Sequence, residues 1–363
     1  MTVKQTAKII IFISAFILLL TAVTYMLRTN GEQKDRFVGF YAEPENSIDA
    51  IVIGSSPVSP SIAAAQIYGE TGIVLYPLST NLQRPIAQLW LTKEALKYQS
   101  PKLMLYEVRM YTGIETDMTS NMAYTRGVTD NLKYSLNRIE TIRAMTGGFV
   151  QELEDVGDKD PLTYYFDIFK YHSNWRSLSQ KGQWLSFAYT WPDENKGWEV
   201  HSDVNPCTLT DYSGVTDSVP IPEQQEKYLL ELFAYLKEQD QEALFFVSPY
   251  EPENEEHAAM YNYLRDLAEA NGFDFLNMND YREEIGISAE TDYYDEGHHT
   301  NALGSRKVSV FLENYLKEHY ELPDHREEAD YRSWDSAYEK WQRDSEAAIE
   351  EINAETDAAG AEE

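Results

Sequence analysis

The chain has 363 residues, with 30 Lys or Arg against 61 Asp or Glu, which gives a formal net charge of −31 at pH 7. This balance excludes an ordinary nucleic-acid binder, because phosphate contacts need a basic surface. A hydrophobic content of 43% excludes a chain that is disordered as a whole, and the length suffices for a substantial core. A single cysteine, Cys207, excludes an intramolecular disulfide and a cysteine zinc cluster.

An uncharged apolar segment covers residues 9–27. As a helix it would extend about 28 Å, close to the hydrocarbon thickness of a bilayer. Lys4 and Lys8 precede it, which favours a cytoplasmic N-terminus. A cleaved signal peptide is the alternative, but Thr-Tyr-Met-Leu at 24–27 is a poor cleavage site. We therefore predict an uncleaved signal anchor over residues 1–30, with the remainder outside the cytoplasmic membrane.

Short apolar runs then alternate with amphipathic stretches. The runs rich in β-branched and aromatic residues predict buried strands over residues 48–53, 72–76, 103–108, 243–247 and 273–276. Periodic apolar positions predict helices over residues 61–68, 85–98, 224–238, 255–271 and 302–319. This alternation indicates an α/β fold with a parallel sheet covered by helices, in a domain spanning residues 31–325.

The alternation stops between residues 111 and 222, where the chain is rich in Tyr, Trp and Asp and has helical segments around 131–145 and 164–171. An insertion after the carboxyl end of a strand lies at the sheet edge where such folds bind ligands. We therefore expect this insertion to form a cap over the site and to contribute acceptor specificity.

The C-terminal part of the chain, residues 326–363, is acidic and carries apolar residues at three- or four-residue spacing. This spacing predicts an amphipathic helix followed by a frayed tail from Ala354, with the apolar face packed on its own domain rather than on a partner. The repeating positions are Tyr331, Trp334, Tyr338, Trp341, Ala348 and Ile352.

The first candidate for chemistry is the turn Gly54-Ser55-Ser56, which follows the first predicted strand. A serine there stands at the carboxyl end of a strand, near backbone N–H groups and the positive end of a helix. Such groups stabilise the oxyanion of a tetrahedral intermediate, as acyl transfer requires. By itself the triplet is weak evidence, since small residues are common in turns.

The second candidate is the loop before the last predicted helix, which holds Asp295, His298 and His299 and places Asn301 to cap that helix. An Asp near a His can fix the imidazole tautomer, and the His can then take the proton of a serine hydroxyl. A solvated acidic loop or a metal site built from these three residues is the alternative. No further ligand cluster lies nearby in the sequence, so we predict neither metal nor cofactor.

A serine in the turn after the first strand, followed late in the chain by an Asp and a His just before the last helix, is the order found in the SGNH/GDSL hydrolase superfamily. The chain resembles that superfamily in this respect. The chain is similar to the membrane-anchored branch related to the D-alanyl-lipoteichoic acid biosynthesis protein DltD and to acyltransferase partners of surface polysaccharide modification. The resemblance covers residues 48–110 and 225–320 together with the N-terminal anchor, and it implies a three-layer, flavodoxin-like α/β/α fold. By position it makes Ser56 the nucleophile and Asp295 the acid that orients the histidine.

The resemblance leaves two registers for the histidine. Counting forward from Asp295 through Asp-Glu-Gly-His selects His298, whereas the family pattern His-x-Asn-x-x-Gly, read back from Asn301 and Gly304, selects His299. We favour His299, because the start of the helix determines where its ring points, and keep His298 as the alternative.

Several positions depart from the family pattern. Ser79 stands where the family has a glycine whose backbone N–H binds the oxyanion, and we take it and Asn81 as candidate oxyanion or substrate contacts. The family asparagine after the third strand is missing; Arg109 there either binds an anionic substrate group or, as we favour, forms a salt bridge with Glu107. His172 in the insertion is a candidate substrate contact or part of an aromatic cluster.

Two functions remain open from the sequence. The first is an extracytoplasmic serine esterase or O-acyltransferase acting on acyl esters of a cell-envelope polysaccharide or teichoic-acid-like polymer, with a membrane-bound O-acyltransferase as partner. Water as the acceptor gives an esterase, and a sugar hydroxyl gives a transferase. The second is a catalytically inactive module of the same family that binds glycopolymer or docks such an acyltransferase.

Overall fold

The computed structural model describes residues 1–28, 31–114, 117, 122–147, 162–178, 189–252 and 254–362. Within them, parallel strands form a five-stranded sheet in the order β2-β1-β3-β4-β5. The strands are β1 (Ala50–Ile53), β2 (Leu75–Pro77), β3 (Leu103–Glu107), β4 (Glu242–Val247) and β5 (Asp274–Asn277). The predicted α/β class and parallel sheet are confirmed, with small shifts at the strand ends.

Helices precede the sheet and connect its strands. The α-helices are α1 (Val3–Leu27), α2 (Glu32–Ala42), α3 (Val58–Ser61), α4 (Ala64–Thr71), α5 (Pro85–Ala95), α6 (Met122–Thr129), α7 (Leu136–Thr146), α8 (Leu162–Tyr165), α9 (Ile168–Tyr171), α10 (Glu223–Glu238), α11 (Glu255–Ala270), α12 (Arg282–Ile285), α13 (Ala302–His319) and α14 (Arg332–Glu362). Short 3-10 helices lie at Arg109–Thr112, His172–Ser177, Met278–Tyr281 and Ala329–Tyr331. The predicted helix over 61–68 is instead the pair α3 and α4, because Ile62 between them adopts an extended conformation.

The central strands are buried on both faces, since every residue of β1 and β3 is inaccessible to solvent. This explains why β1 is apolar throughout and β3 as far as Tyr106, because a strand covered on both sides has no polar face to alternate. The ring of Tyr106 on β3 stacks on Phe245 of β4 at 5.0 Å, and its hydroxyl is 2.8 Å from Thr92 Oγ1 of α5. The buried hydroxyl is therefore paired, and the middle of the sheet is fixed by packing and hydrogen bonding together.

Helix α1 is long and apolar enough to cross a membrane. Its first part is exposed, whereas Thr24, Tyr25 and Leu27 near its end are buried against the domain. The predicted apolar helix is thus present, and it is attached to the domain through its last turns.

The C-terminal helix α14 packs on α4 and α13. Trp334, Trp341, Ala348 and Ile352 on its apolar face are buried, which confirms that this face covers its own domain. The predicted frayed tail from Ala354 is wrong: the helix continues to Glu362. The physical reason is composition, because the last residues are rich in alanine and glutamate, which favour the helical state.

Candidate active site

Ser56 lies in the turn that follows β1, at the carboxyl edge of the sheet. The turn requires a glycine at position 54, because a Cβ atom there would lie 2.4 Å from Glu107 Cβ and 2.8 Å from Val58 Cγ2. The backbone N–H of Val58 donates to the Ser55 carbonyl over 3.2 Å and closes the turn. Ser56 remains partly exposed, so its hydroxyl can be reached from solvent.

The structure brings Ser56, His299 and Asp295 together in one hydrogen-bonded chain, which we call the triad. His299 Nε2 lies 2.8 Å from Ser56 Oγ, although the two residues are 243 positions apart. On the other side of the ring, Nδ1 lies 2.5 Å from Asp295 Oδ2. A proton on Nδ1 facing the carboxylate leaves Nε2 as the acceptor for the serine hydroxyl. This arrangement can activate a serine as a nucleophile.

The loop that carries the acid and the histidine is held by its own backbone. Asp295 Oδ1 accepts from the backbone N–H groups of His298 (3.1 Å) and His299 (2.7 Å), which curls the chain around the carboxylate. Between Asp295 and His298, Gly297 adopts φ +85°, a left-handed conformation that favours glycine. The Asp-Glu-Gly-His stretch is therefore a tight turn whose geometry points His299, rather than its neighbour, back to the carboxylate.

The start of α13 fixes the same loop from its other end. The side chain of Asn301 caps the helix as predicted, since its Oδ1 accepts from the N–H groups of Leu303 (3.1 Å) and Gly304 (3.2 Å). Its Nδ2 donates to the Thr291 carbonyl over 2.7 Å. A Cβ at position 304 would lie 2.4 Å from the Asp292 carbonyl oxygen, so glycine allows the loop to pack on the helix.

The second imidazole, that of His298, lies elsewhere. Its ring stacks on Tyr250 with the centroids 4.5 Å apart. Tyr250 also meets His299 edge-on at 5.7 Å and carries the Arg109 guanidinium over its face at 4.0 Å. Tyr250 follows β4 at the same sheet edge, and sequence reasoning missed it. Its position just after a buried strand was the only available signal.

Arg109 and Glu107 do not form the predicted salt bridge. Glu107 instead accepts from the Ser55 hydroxyl (2.7 Å), from the Ser55 N–H (3.2 Å) and from the backbone N–H of Arg109 (2.8 Å). The Arg109 guanidinium donates to Ser55 Oγ over 3.3 Å and has no carboxylate within 4 Å among the residues described. The favoured interpretation is wrong because the turn after β1 supplies the donors to Glu107, which leaves Arg109 at the edge of the site beside Tyr250.

Ser79 is fully buried just after β2, next to the turn that holds Ser56. The N–H of Thr80 donates to the Gly54 carbonyl over 3.1 Å and ties the two strand ends together. The Ser79 hydroxyl has no hydrogen-bond partner in the described part of the chain. Nor do the backbone N–H groups of Ser56 and Ser79 donate to any residue that the structure describes. Both N–H groups thus lie at this edge of the sheet without an acceptor in the described residues, although Ser79 itself is inaccessible to solvent.

The other two predicted contacts are not brought to the triad. Asn81 is exposed, and its backbone N–H donates to Gln33 Oε1 over 3.2 Å. His172 is exposed on a 3-10 helix that packs against α1, with its Nδ1 2.9 Å from the Phe169 carbonyl oxygen. Neither residue contacts Ser56, His299 or Asp295.

A described part of the insertion runs along the triad loop. The N–H of Asn205 donates to the Tyr293 carbonyl and that of Cys207 to the Ala289 carbonyl, both over 2.9 Å. Earlier in the same segment, the ring of His201 stacks on Tyr294 with the ring centroids 3.9 Å apart. The Tyr294 ring in turn stacks on His299 with the centroids 5.6 Å apart. This segment therefore lies beside the loop that carries Asp295 and His299.

Opposing effects set the charge of the acid. Burial raises the pKa of Asp295, whereas the hydrogen bond and charge of His299 and the two backbone N–H groups lower it. The lowering effects are together larger, so the net pKa lies below the usual value. Burial, assisted by the charge of Asp295, raises the pKa of the Tyr294 hydroxyl. At neutral pH the site thus pairs an ionised carboxylate with a neutral phenol.

Over the residues that the structure describes, no group of three or more His, Cys, Asp and Glu side chains is arranged to hold a metal ion. Both carboxylate oxygens of Asp295 are already engaged: Oδ1 accepts from the backbone N–H groups of the two histidines, and Oδ2 lies against Nδ1 of the His299 ring. The arrangement therefore fits proton transfer between hydroxyl and imidazole.

Comparison with protein-family models found no match to the chain, and comparison with curated proteins found none either.

Proposed function

We propose that the protein is an extracytoplasmic, membrane-anchored serine esterase or O-acyltransferase of the SGNH type. Ser56 is the nucleophile, His299 the general base and acid, and Asp295 the group that orients the imidazole. The hydrogen-bonded chain of these three residues at the carboxyl edge of a parallel sheet carries the proposal. The strand order also supports the three-layer, flavodoxin-like arrangement that the family resemblance implies.

In the first half of the reaction, Ser56 Oγ attacks the carbonyl carbon of an acyl ester while His299 Nε2 takes the hydroxyl proton. The negative charge that develops on the carbonyl oxygen is stabilised by the N–H groups of Ser56 and Ser79. Collapse of this intermediate breaks the ester bond, and the imidazolium gives its proton to the leaving alcohol. The acyl group is then bound to Ser56 as an ester.

In the second half, the roles of His299 repeat with a new acceptor. The imidazole takes a proton from water or from a sugar hydroxyl, whose oxygen attacks the acyl-serine, and then returns a proton to Ser56 Oγ. Water gives a free acid, and a hydroxyl gives a new ester. The insertion segment that includes His201 lies beside the triad loop and would meet the acceptor first.

The location follows from α1, which we propose as a signal anchor with Lys4 and Lys8 on the cytoplasmic side. The catalytic domain would then face the cell envelope, where acyl esters of polysaccharides or teichoic-acid-like polymers are the substrates within reach. An anchored transferase can receive its acyl group from a membrane-bound O-acyltransferase, which makes such an enzyme the proposed partner. No cofactor takes part in this scheme.

A fluorophosphonate probe tests the assignment on the full-length protein in detergent. We expect covalent labelling of the wild type, loss of labelling in Ser56→Ala, and full labelling in the control Ser213→Ala, whose serine is exposed in the insertion. Heat-denatured wild type should not react. Equal labelling of Ser56→Ala would contradict the nucleophile, and no labelling of folded wild type would favour the non-catalytic binding module.

A further inference from the structure

Helix α1 has less free apolar length than a membrane requires. Residues 9–20 are exposed, whereas residues 21–27 are partly or fully covered by the rest of the protein. At 1.5 Å per residue, residues 9–20 extend about 18 Å, far short of the hydrocarbon thickness of about 30 Å, while residues 9–27 extend about 28 Å. If the whole apolar segment spans the bilayer, the protein that surrounds its last two turns must enter the membrane with it.

The surrounding protein belongs largely to the insertion. Helix α9 and the 3-10 helix His172–Ser177 pack on α1, and Asn174 Nδ2 donates to the Leu27 carbonyl over 3.0 Å. Directly after the helix, the fully buried Arg28 forms an ion pair with Asp167 at 2.6 Å and donates to the Leu132 carbonyl at 2.8 Å. Because this charge pair is buried and hydrogen-bonded, the end of α1 and the insertion form one body.

The outer surface of this body is aromatic and basic. Phe166, Phe169 and Trp175 are 55%, 62% and 61% exposed. Among residues 162–178 the only carboxylate is the buried Asp167, and the exposed charges are those of Lys170 and Arg176. Exposed aromatic rings with neighbouring cations are typical of protein that lies at the membrane–water interface.

We propose that Phe166, Phe169 and Trp175 form a membrane-seating surface that inserts into the interfacial layer of the bilayer beside α1. Lipid is the occupant that the structure favours, because the surface is continuous with the end of a membrane helix and its cations suit lipid phosphates. The domain is then held against the bilayer at one height, not suspended above it on a tether. This inference depends on α1 crossing the membrane and is independent of the triad chemistry.

The single cysteine makes a direct depth measurement feasible. In a Cys207→Ser background, a nitroxide is attached at Phe169→Cys, and matched samples carry it at Phe12→Cys within α1 or at Val310→Cys on α13, where Val310 is 42% exposed. The full-length proteins are reconstituted into phosphatidylcholine–phosphatidylglycerol vesicles. Collision with oxygen and with a water-soluble nickel chelate is then measured by electron paramagnetic resonance.

We expect the label at 169 to collide with oxygen at least several-fold more often, relative to the chelate, than the label at 310, and the label at 12 to lie deepest. Equal chelate access at 169 and 310 would overturn the seating surface while leaving the anchor intact. Shielding of position 169 from both reagents would show that protein covers the surface and would also overturn the lipid assignment. A label at position 12 that is accessible to the water-soluble chelate would contradict the proposal that α1 spans the membrane, and with it the seating surface. Fluorophosphonate labelling of each sample shows separately whether the triad is intact.

Discussion

The Ser55 hydroxyl donates to Glu107 Oε2 over 2.7 Å, while the hydroxyl of the next residue, Ser56, lies 2.8 Å from His299 Nε2. The two adjacent serines of one turn therefore have separate partners. Ser55 is buried and ties the turn to the end of β3, whereas Ser56 is partly exposed. This division supports the proposal that Ser56 carries the reactive hydroxyl and that Ser55 has a supporting role.

Ser55→Ala should cost stability but leave the nucleophile in place. The change removes one of the hydrogen bonds to the buried Glu107 carboxylate, for which we expect a loss of about 1–3 kcal/mol in the free energy of unfolding. Urea denaturation measures that loss, and fluorophosphonate labelling should persist. If Ser55→Ala abolished labelling while Ser56→Ala retained it, the assignment of the two serines would have to be exchanged.

The two histidines should respond unequally to substitution. We expect His299→Ala to lower kcat for ester hydrolysis by about 10⁴-fold, because among the described residues no other base contacts Ser56 Oγ. His298→Ala removes a ring stacked on Tyr250 and should reduce kcat by less than about tenfold. Steady-state rates on a soluble acyl ester check both. Near-normal rates from both variants would overturn the triad.

Asp295→Asn tests the orienting acid and its pH dependence. An amide cannot stabilise the imidazolium, so we expect a fall in kcat of about 10⁴-fold. Because the folded pKa of Asp295 lies below the unfolded value of about 3.9, its contribution to stability is present above that pH and is lost as the pH falls through the folded pKa. The difference in unfolding free energy between wild type and variant should therefore be larger at pH 7 than at pH 3. A variant within tenfold of wild-type activity would contradict the role.

A carboxylate away from the site should make the fold less stable at high pH. Glu313 on α13 has a buried oxygen with no hydrogen-bond partner among the described residues, and burial together with the charge of Glu70 raises its pKa to about 7. Between about pH 4.5 and 7, the Glu313 carboxyl is therefore protonated in the folded protein and ionised in the unfolded chain. The free energy of unfolding falls as the pH rises through this range.

Glu313→Gln should remove this penalty. We expect Tm to rise by about 2–4 °C at pH 8 and to change little at pH 4.5. Glu318→Gln on the exposed side of the same helix is the matched control and should show no such pH-dependent gain. A Glu313→Gln variant that is equally stable or less stable at pH 8 would show that the carboxylate is not destabilising.

The sheet was predictable because its central strands are covered on both faces and are therefore mostly apolar in sequence. The meeting of Ser56 with the histidine loop was predictable from their order along the chain and from the fact that parallel strands end at one edge. Asn301 and Gly304 favoured His299 over His298, because a helix cap fixes the positions just before it. No such local marker accompanies Tyr250, whose place depends on the path of the chain after β4.

Other failures have equally specific causes. The direction of the Glu107 side chain at a strand end depends on donors supplied by a distant turn, which sequence spacing does not reveal. Helix α6 was missed because Met122–Thr129 contains Thr, Gly and Val, which have low helix propensity. The helix is therefore stabilised by the packing of its buried face and not by the intrinsic preference of its residues. Helix α14 was predicted too short because an acidic, alanine-rich end resembles a tail as much as a helix.

The packing of α14 has a consequence for biogenesis. Trp334 lies beside Tyr68 of α4 and Tyr76 of β2, at ring distances of 5.7 and 6.4 Å, and its indole N–H donates to Glu43 over 3.1 Å. Under the proposed topology, a nascent chain that leaves the ribosome N-terminus first inserts α1 long before this tryptophan is synthesised. The contacts of Trp334 with α4 and β2 can then form only after α14 has followed the rest of the domain across the membrane.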